Sequence, residues 1–434
     1  MWKIKAKHLK EHALRQSLHN EVHARPPEPM TAPLAISHVV MLADAAARQA
    51  SREHLLQLLR DHHLPVPDAH ANHLRVDAGA WRLRWELHTE FVTWTFMVDA
   101  TPGLPKSDGY GLALNSLPQQ WLKALPGECL ARINLWAKLT DNLQDRDELH
   151  QQFREDSLVA CQLAEGAATL HTDFQIGPDG CSRMLLRVGS LSRRRLGRLV
   201  QRLLEIETYR MMALLGLPMA RGAASDLAAA EHELADLAQA IRTAQHHEEA
   251  ALLDRLTRLA GQVESDYAAQ HSRFSASRAY FELVDRRIVD IRENRIPGFQ
   301  SIGEFMDRRL TPARSTCEWV AKRQTALSER VSRMSSLLRT RVDFQQEESN
   351  QALLTAMNRR QGMQLKLQTT VEGLSVAAIT YYITGLVHYM AEGLQAKGWI
   401  QDPTLVTALA VPIIALVVWW FTRRLHNKVF LSPT

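Results

Sequence analysis

The chain carries none of the familiar motifs of nucleotide-binding or hydrolytic enzymes. It has no Walker loop, no G-x-G-x-x-G fingerprint, no G-x-S-x-G elbow and no H-E-x-x-H pair. Its four cysteines are scattered, without a C-x-x-C pair, which excludes a zinc framework and is typical of reduced thiols in the cytosol. We therefore expect a protein that is not an enzyme and holds no cofactor. The cysteines are Cys129, Cys161, Cys181 and Cys317.

Two long stretches near the C-terminus lack Asp, Glu, Lys and Arg altogether. They cover residues 373–390 and 405–421, which is 18 and 17 residues. At about 1.5 Å per residue each helix would be roughly 26 Å long, close to the hydrocarbon thickness of about 30 Å. The pattern predicts a transmembrane hairpin. Two buried helices of a soluble domain are the alternative.

Charged and aromatic residues around these stretches predict their orientation. Basic residues precede the first stretch and follow the second, whereas the connection holds Lys397 against Glu392 and Asp402. By the positive-inside tendency both chain ends face the cytoplasm. The first sixteen residues are charged and lack an apolar core, so we expect no cleavable signal peptide. The flanking cations are Arg359, Arg360, Lys366, Arg423, Arg424 and Lys428.

The first half of the chain mixes strand and helix patterns. Residues 34–42 predict a strand, residues 43–63 a helix, and residues 192–215 a second helix ended by Gly216 and Pro218. Alternating apolar residues and the Gly177–Gly180 turn predict hairpins. We therefore expect an α+β domain with a largely antiparallel sheet. The further predicted strands are 81–87, 91–98, 128–139, 158–164, 169–176 and 184–188.

Beyond Gly222 the composition becomes helical, and apolar residues recur at heptad spacing. The turn at Pro297-Gly298 separates two arms, and residues 313–390 lack a further proline, so one helix roughly 115 Å long is expected there. The arms either fold back on each other within one chain or assemble into a homo-oligomeric stalk, and both are compatible. The repeating residues are Leu252, Leu256, Leu259, Val263, Phe281, Val284, Ile288, Ile291, Val320, Leu327, Val331, Met334 and Leu338.

These patterns divide the chain into seven segments. A cytoplasmic α/β domain is followed by a coiled-coil arm, a long stalk helix, a first transmembrane helix, an outer loop, a second transmembrane helix and a basic tail. Their predicted bounds are 1–221, 222–297, 298–370, 371–392, 393–404, 405–422 and 423–434.

Four short segments resemble those of a bacterial family of unknown function described as predicted membrane-anchored proteins. The resemblance covers nearly the whole chain and implies an anchor in the bacterial inner membrane, but it names no reaction. The segments are 20–26 (NEVHARP), 88–91 (HTEF), 296–298 (IPG) and 370–375 (TVEGLS).

The order of domains also resembles the CorA-type metal-ion channels. These are pentamers with a cytoplasmic α/β domain and a stalk helix that continues into the first of two spans, which ends in Gly-Met-Asn. The corresponding place here reads HYMAEG, residues 388–393, so the signature is absent. The resemblance implies a homo-oligomer that conducts a cation, but it does not extend to magnesium selectivity.

Polar residues recur along one face of the first predicted span. Thr380, Thr384 and His388 are spaced by four, and an ionisable side chain within a span indicates a functional site. They either line a pore or form hydrogen bonds to the second helix.

Two triplets in the sheet domain could hold a metal or supply an acid and a base. His19, Glu21 and His23 form one, and Glu86, His88 and Glu90 form the other. The alternative for the first is a hydrogen-bonded loop in which Glu21, His23 and Arg25 brace the sheet, and the alternative for the second is a solvated strand face.

Three arginines on the helix after the sheet, Arg194, Arg198 and Arg202, share a face and could bind phosphate. Because Glu205 and Glu207 are close by in the sequence, a solvated face is the favoured interpretation. Acidic and basic residues are well mixed within a net charge of +5, so we expect no nucleic-acid partner.

Three functions remain open from the sequence. The first is an oligomeric inner-membrane cation channel with a cytoplasmic regulatory domain, which the rod joined to a span favours narrowly. The second is a non-conducting, membrane-anchored scaffold or sensor. The third is a tethered metal-dependent enzyme.

Overall fold

The computed structural model describes residues 11–16, 18–19, 26–68, 71–100, 109–139, 149 and 151–430. The chain forms two compact units. The first comprises Met1–Arg242 and Asp254–Ser335, and the second comprises Thr243–Leu253 and Ser336–Thr434.

Nine strands and nine helices are defined within these described ranges. The strands are β1 (Leu34–Leu42), β2 (His73–Asp77), β3 (Arg82–Leu87), β4 (Phe91–Asp99), β5 (Glu128–Leu139), β6 (Val159–Leu163), β7 (Ala168–Ile176), β8 (Ser182–Val188) and β9 (Asn294–Arg295). The helices are α1 (Ala45–Asp61), α2 (Leu112–Asn115), α3 (Gln119–Lys123), α4 (Arg193–Leu214), α5 (Gly216–Thr243), α6 (Glu249–Ile291), α7 (Ile302–Arg309), α8 (Thr311–Ala396) and α9 (Pro403–Phe430).

All nine strands form one sheet in the order β2-β3-β4-β1-β5-β8-β7-β6-β9. Neighbours pair antiparallel except β5 and β8, which are parallel. Strand β1 lies inside the sheet, between β4 and β5. Its residues are apolar apart from Ser37 and His38, and every position except Leu42 is buried, as expected of a strand that is covered on both faces. The prediction of a largely antiparallel sheet is confirmed.

Helices cover both faces of this sheet. On one side Leu55, Leu58 and Leu59 of α1 pack against the tryptophans of β3 and β4. On the other side α4 buries Leu199 and Leu203 against the central strands. Helix α1 begins at Asp44, whose carboxylate accepts the Ala47 N–H at 2.8 Å. The sheet domain thus has three layers.

Helix α4 ends within one residue of the predicted place, and α5 begins at Gly216, before the predicted start of the helical arm at residue 222. Pro218 lies in the first turn of α5, where its missing N–H leaves no helical hydrogen bond unmade. Gly216 is required by close packing, since a Cβ there would lie 2.6 Å from the Ser277 Oγ and 3.4 Å from the Cys317 Sγ.

Helices α5, α6 and α8 pack together within the first unit. Gln324 donates to Gln270 at 3.0 Å and Ser328 donates to Glu264 at 3.3 Å, so α6 and α8 run antiparallel. Arg323 donates to Glu231 of α5 at 3.0 Å. The intramolecular hairpin expected from the heptads is therefore present, and one helix covers residues 313–390 as predicted.

The heptad residues do not all serve that hairpin. Leu256, Leu259 and Val263 are buried along α6. Further along the same helix, Phe281 and Val284 belong instead to the core of the sheet domain. Periodicity identifies which face is buried but not what covers it.

In the second unit, the C-terminal part of α8 and helix α9 form a hairpin joined by residues 397–402. Ala391 and Val418 are buried, whereas most other apolar side chains of the two helices are exposed. Near the other end of this unit, Arg341 of α8 lies 2.6 Å from the buried carboxylate of Glu249.

Candidate functional site

A buried histidine joins the centre of the sheet to helix α4. Its Nε2 lies 3.1 Å from the Thr208 Oγ1, whose own hydrogen goes to the Leu204 carbonyl at 2.8 Å. His38 Nε2 must therefore donate, which leaves Nδ1 to accept from the Thr95 hydroxyl at 2.7 Å. The imidazole is neutral, because burial lowers the pKa of His38 to about 3. The signal that could have identified His38 is a histidine within a strand whose other residues, apart from Ser37, are apolar.

A row of charged side chains lies beside His38 on the same face of the sheet. Arg84 donates to Glu86 at 2.8 Å, and both are largely buried. Arg82 donates to Glu28 at 2.9 Å and to Asp99 at 2.8 Å. Glu86 is thus half of an ion pair rather than part of a solvated strand face.

Glu90 ties the β3–β4 turn to helix α6. Both terminal nitrogens of Arg273 donate to its carboxylate at 3.2 Å, and the Tyr280 hydroxyl donates at 3.0 Å. Burial, reinforced by the Glu90 charge, raises the pKa of Tyr280. Glu90 therefore points to α6 and not to the side of His88.

His88 lies at the rim of a cavity of about 520 Å³. Its ring stacks on Phe91 with centroids 4.2 Å apart. Across the cavity Tyr209 and Tyr280 stack at 5.9 Å. The lining residues come from the β3–β4 turn with its flanking strand ends, from the segment just before β2, and from α1, α4 and α6. They are Arg48, Asn72, Leu87, His88, Thr89, Phe91, Tyr209, Tyr280 and Leu283.

The lining of this His88 cavity combines aromatic rings with polar groups. Aromatic walls favour a planar group, and Asn72 and Arg48 supply polar groups at one side. The Arg48 guanidinium also donates to the Thr89 carbonyl, which fixes the turn. A pocket bounded by both sheet and helical arm lets a ligand contact the two together.

The structure gives no support for a metal site among the residues it describes, since no three His, Cys, Asp or Glu side chains lie close enough to hold an ion. Of the residues predicted in the first triplet and its loop, Glu21, His23 and Arg25 lie outside the described residues. In the second triplet, Glu90 accepts from Arg273 and Tyr280 of α6, whereas His88 lines the cavity described above. A joint role for these residues stays a prediction.

The polar residues Thr380, Thr384 and His388, which form a stripe along the first apolar helix, all make hydrogen bonds within the hairpin. The hydroxyls of Thr380 and Thr384 donate to carbonyls one turn earlier at 2.7 Å. His388 Nδ1 lies 3.0 Å from the Thr407 Oγ1 on α9. Because Thr407 itself donates to the Pro403 carbonyl, His388 must be the donor.

The outer face of the same helix is apolar and aromatic. Tyr381 and Tyr389 are 76% and 72% exposed, whereas Thr380, Thr384 and His388 are half-buried. Both α8 and α9 contain a segment long and apolar enough to cross a membrane. Whether the stripe lines a pore in an assembly of several chains stays a prediction.

A nine-stranded α+β sheet domain, an antiparallel helical arm and a hairpin of two apolar helices define the architectural class of this protein. The chain belongs to the family described as "Protein of unknown function (DUF3422)", which matches residues 10–429. The expected membership of a family of unknown function is confirmed. No curated protein and no solved structure matches the chain significantly. The likeness to CorA-type channels stays a prediction.

Proposed function

We propose that the chain is a non-enzymatic scaffold or sensor anchored in the bacterial inner membrane. In this proposal α9 and the end of α8 span the bilayer, both chain ends lie in the cytoplasm, and the sheet domain binds a ligand or protein partner there. The observation that carries it is the hydrogen bond between His388 and Thr407. Because His388 finds its hydrogen-bond partner on the other helix of the same hairpin, its presence in the span is explained by an anchor and does not require a pore.

Side chains at the ends of the second span support the orientation. The guanidinium groups of Arg423 and Arg424 lie over Trp419 and Trp420, at 5.0 and 4.9 Å from the ring centroids. Arginine stacked on tryptophan is favourable where a helix leaves the hydrocarbon for the cytoplasmic headgroups. Trp399, which is 79% exposed in the connecting loop, suits the opposite interface.

The His88 cavity supports sensing over simple tethering. It is bounded by the sheet and by α6 together, so that an occupant would bias the arrangement of both. The proposal involves no reaction at the cavity, because the nearby carboxylates of Glu86 and Glu90 are held in ion pairs.

Topology can be measured with single cysteines in a Cys129→Ser background, since Cys129 is the exposed native thiol. We expect Lys397→Cys to react with a membrane-impermeant maleimide in intact spheroplasts, and Arg424→Cys to react only after permeabilisation. Labelling of Lys397→Cys from the cytosolic side alone would contradict the proposal.

A cation channel is the second candidate, favoured by the alignment of Thr380, Thr384 and His388 on one helical face. It requires several copies, as in a pentamer, with that face turned to a common axis. Light scattering in detergent and ion flux into reconstituted vesicles separate the two candidates. The anchor predicts vesicles no leakier than protein-free ones. Flux that changes in a Thr384→Val variant would instead support the channel.

A further inference from the structure

A second cavity, of about 620 Å³, is lined by none of the residues that line the His88 cavity. It is formed where the β6–β7 turn meets the start of α4 and the end of α6. We call it the arginine cavity. Its lining residues are Ala164, Glu165, Arg195, Arg198, Leu199, Arg202, Val289, Asp290, Ile291 and Arg292.

Positive charge exceeds negative charge in this cavity. Four guanidinium groups face two carboxylates among the lining residues. Glu165 accepts from Arg292 and lies 3.7 Å from Arg195. Arg198 is exposed, and its guanidinium makes no hydrogen bond or ion pair with any residue that the structure describes. One complete guanidinium fork is therefore available to a ligand.

The second carboxylate is already committed. Arg202 donates to the Asp290 backbone carbonyl at 2.9 Å, while the Asp290 side chain accepts from Arg287 at 3.1 Å. The Asp290 carboxylate also lies 3.8 Å from the Arg202 Nε, so it offsets part of the charge of that arginine. The excess of positive charge in the cavity therefore rests on Arg195, Arg198 and Arg292 against Glu165.

The backbone around the arginine cavity is held in unusual conformations. Ala164, Glu165 and Arg292 have φ of 52°, 65° and 50°, a region that L-residues other than Asn and Asp rarely adopt. The Ala164 N–H donates to the Ile291 carbonyl at 3.0 Å, which joins the two turns. The two turns thereby bring Glu165 and Arg292 together at the rim, where the Glu165 carboxylate accepts from the Arg292 guanidinium.

We propose that the arginine cavity binds a phosphoryl group, carried either by a soluble metabolite or by a lipid headgroup. A guanidinium fork matches phosphate oxygens in a bidentate fashion. Arg198 makes the first contact, and Arg195 and Arg292 exchange Glu165 for phosphate oxygens. The volume leaves room for an organic group attached to the phosphate. This proposal does not depend on the proposed function of the membrane hairpin.

The test uses the full chain in an uncharged detergent and phosphate-free buffer, with pyrophosphate as the titrant in calorimetry. Arg198→Gln should raise the Kd by about tenfold or more, because it removes charge-assisted hydrogen bonds. Arg194→Gln is the matched control, since Arg194 is exposed on the same helix but lies outside the cavity. It should leave the Kd within about twofold.

A second variant tests the exchange step. Glu165→Gln removes the carboxylate that competes for Arg195 and Arg292, so the affinity for pyrophosphate should rise, and a fall would contradict the site. Dihexanoyl phosphatidic acid, used below its micelle concentration with the phosphatidylcholine analogue as control, identifies the source. Tighter binding of the phosphatidic acid indicates a headgroup, and tighter binding of pyrophosphate indicates a soluble ligand. Equal losses in Arg194→Gln and Arg198→Gln, or no saturable binding of either probe, would overturn the proposal.

Discussion

Glu90 and Arg273 are 183 positions apart in the sequence, and both terminal nitrogens of the arginine donate to the one carboxylate. This pair joins a tight turn of the sheet to the middle of a long helix. Because Arg273 is 17% and Glu90 35% exposed, the interaction is shielded from solvent more than an ordinary surface pair.

Substituting Glu90→Gln should lower the free energy of unfolding by about 1–3 kcal/mol, because Arg273 loses a charged acceptor and Tyr280 a strong one. Thermal unfolding of the full chain in detergent measures the change. Glu282→Gln, which disturbs only the exposed pair with Arg278, should shift the midpoint far less. Equal shifts in the two variants would show that the Glu90–Arg273 pair does not stabilise the fold.

The neutral state of His38 predicts a dependence of stability on pH. Its folded pKa of about 3 lies below the unfolded value of 6.5, so the unfolded chain binds a proton that the folded chain does not. Stability is therefore complete above pH 6.5 and falls as the pH drops toward 3. At pH 5 the loss from this residue is about 2 kcal/mol.

A His38→Gln variant should be less stable at pH 7.5 but lose less stability than the wild type on going to pH 5. His171 retains its own dependence, since burial lowers its pKa to about 3 as well. Melting curves at the two pH values provide the comparison. Parallel behaviour of wild type and variant would sink the assignment of a buried neutral imidazole.

Two glycines of α5 should respond in opposite directions to alanine. Gly216→Ala places a methyl group against Ser277 and Cys317 and should destabilise by about 1–3 kcal/mol. Gly222→Ala meets no atom within 4 Å and should stabilise by about 0.5–1 kcal/mol through helix propensity. Denaturation of both variants in parallel tests the three-helix contact. A neutral Gly216→Ala would mean that the helices can separate at this point.

The native thiols should differ sharply in reactivity. Cys129 is exposed, whereas Cys161, Cys181 and Cys317 are buried. Burial raises the pKa of Cys161 to about 12, so almost no thiolate is present at neutral pH. We expect maleimide to modify one site in the folded protein and all four in denaturant, as counted by intact mass. Modification of Cys129→Ser under native conditions would contradict the described core.

Much of the fold follows from local patterns. Residues 34–42 predict β1 to the residue, because an apolar run bounded by turn residues leaves little alternative. Helix α1 was predicted at 43–63 and is observed at Ala45–Asp61, and both predicted apolar stretches lie within the helices of the hairpin. Strand β2 was not predicted, since His73–Asp77 has only two apolar residues and gains its order from pairing with β3.

The candidate site was less accessible to prediction. His88 and Glu90 stand two apart, a spacing that gives a common direction only along a straight strand. Here the chain turns between β3 and β4, which sends His88 toward a cavity and Glu90 toward α6. Similarly Arg195, rather than the predicted Arg194, joins Arg198 in the arginine cavity. The direction in which each of these side chains points is set by tertiary contacts, which the local sequence pattern does not contain.

Strand β9 is two residues long, and it comes from the connection between α6 and α7 rather than from the sheet domain's own stretch of chain. By pairing with Cys161 and Gln162 it occupies the edge of β6 that would otherwise offer open backbone groups to another molecule. The connection between α6 and α7 thus covers this edge of the sheet. A rearrangement that removed it would leave the backbone groups of β6 unpaired and able to bind a second copy, so that displacement of the helical arm would be coupled to self-association of the domain.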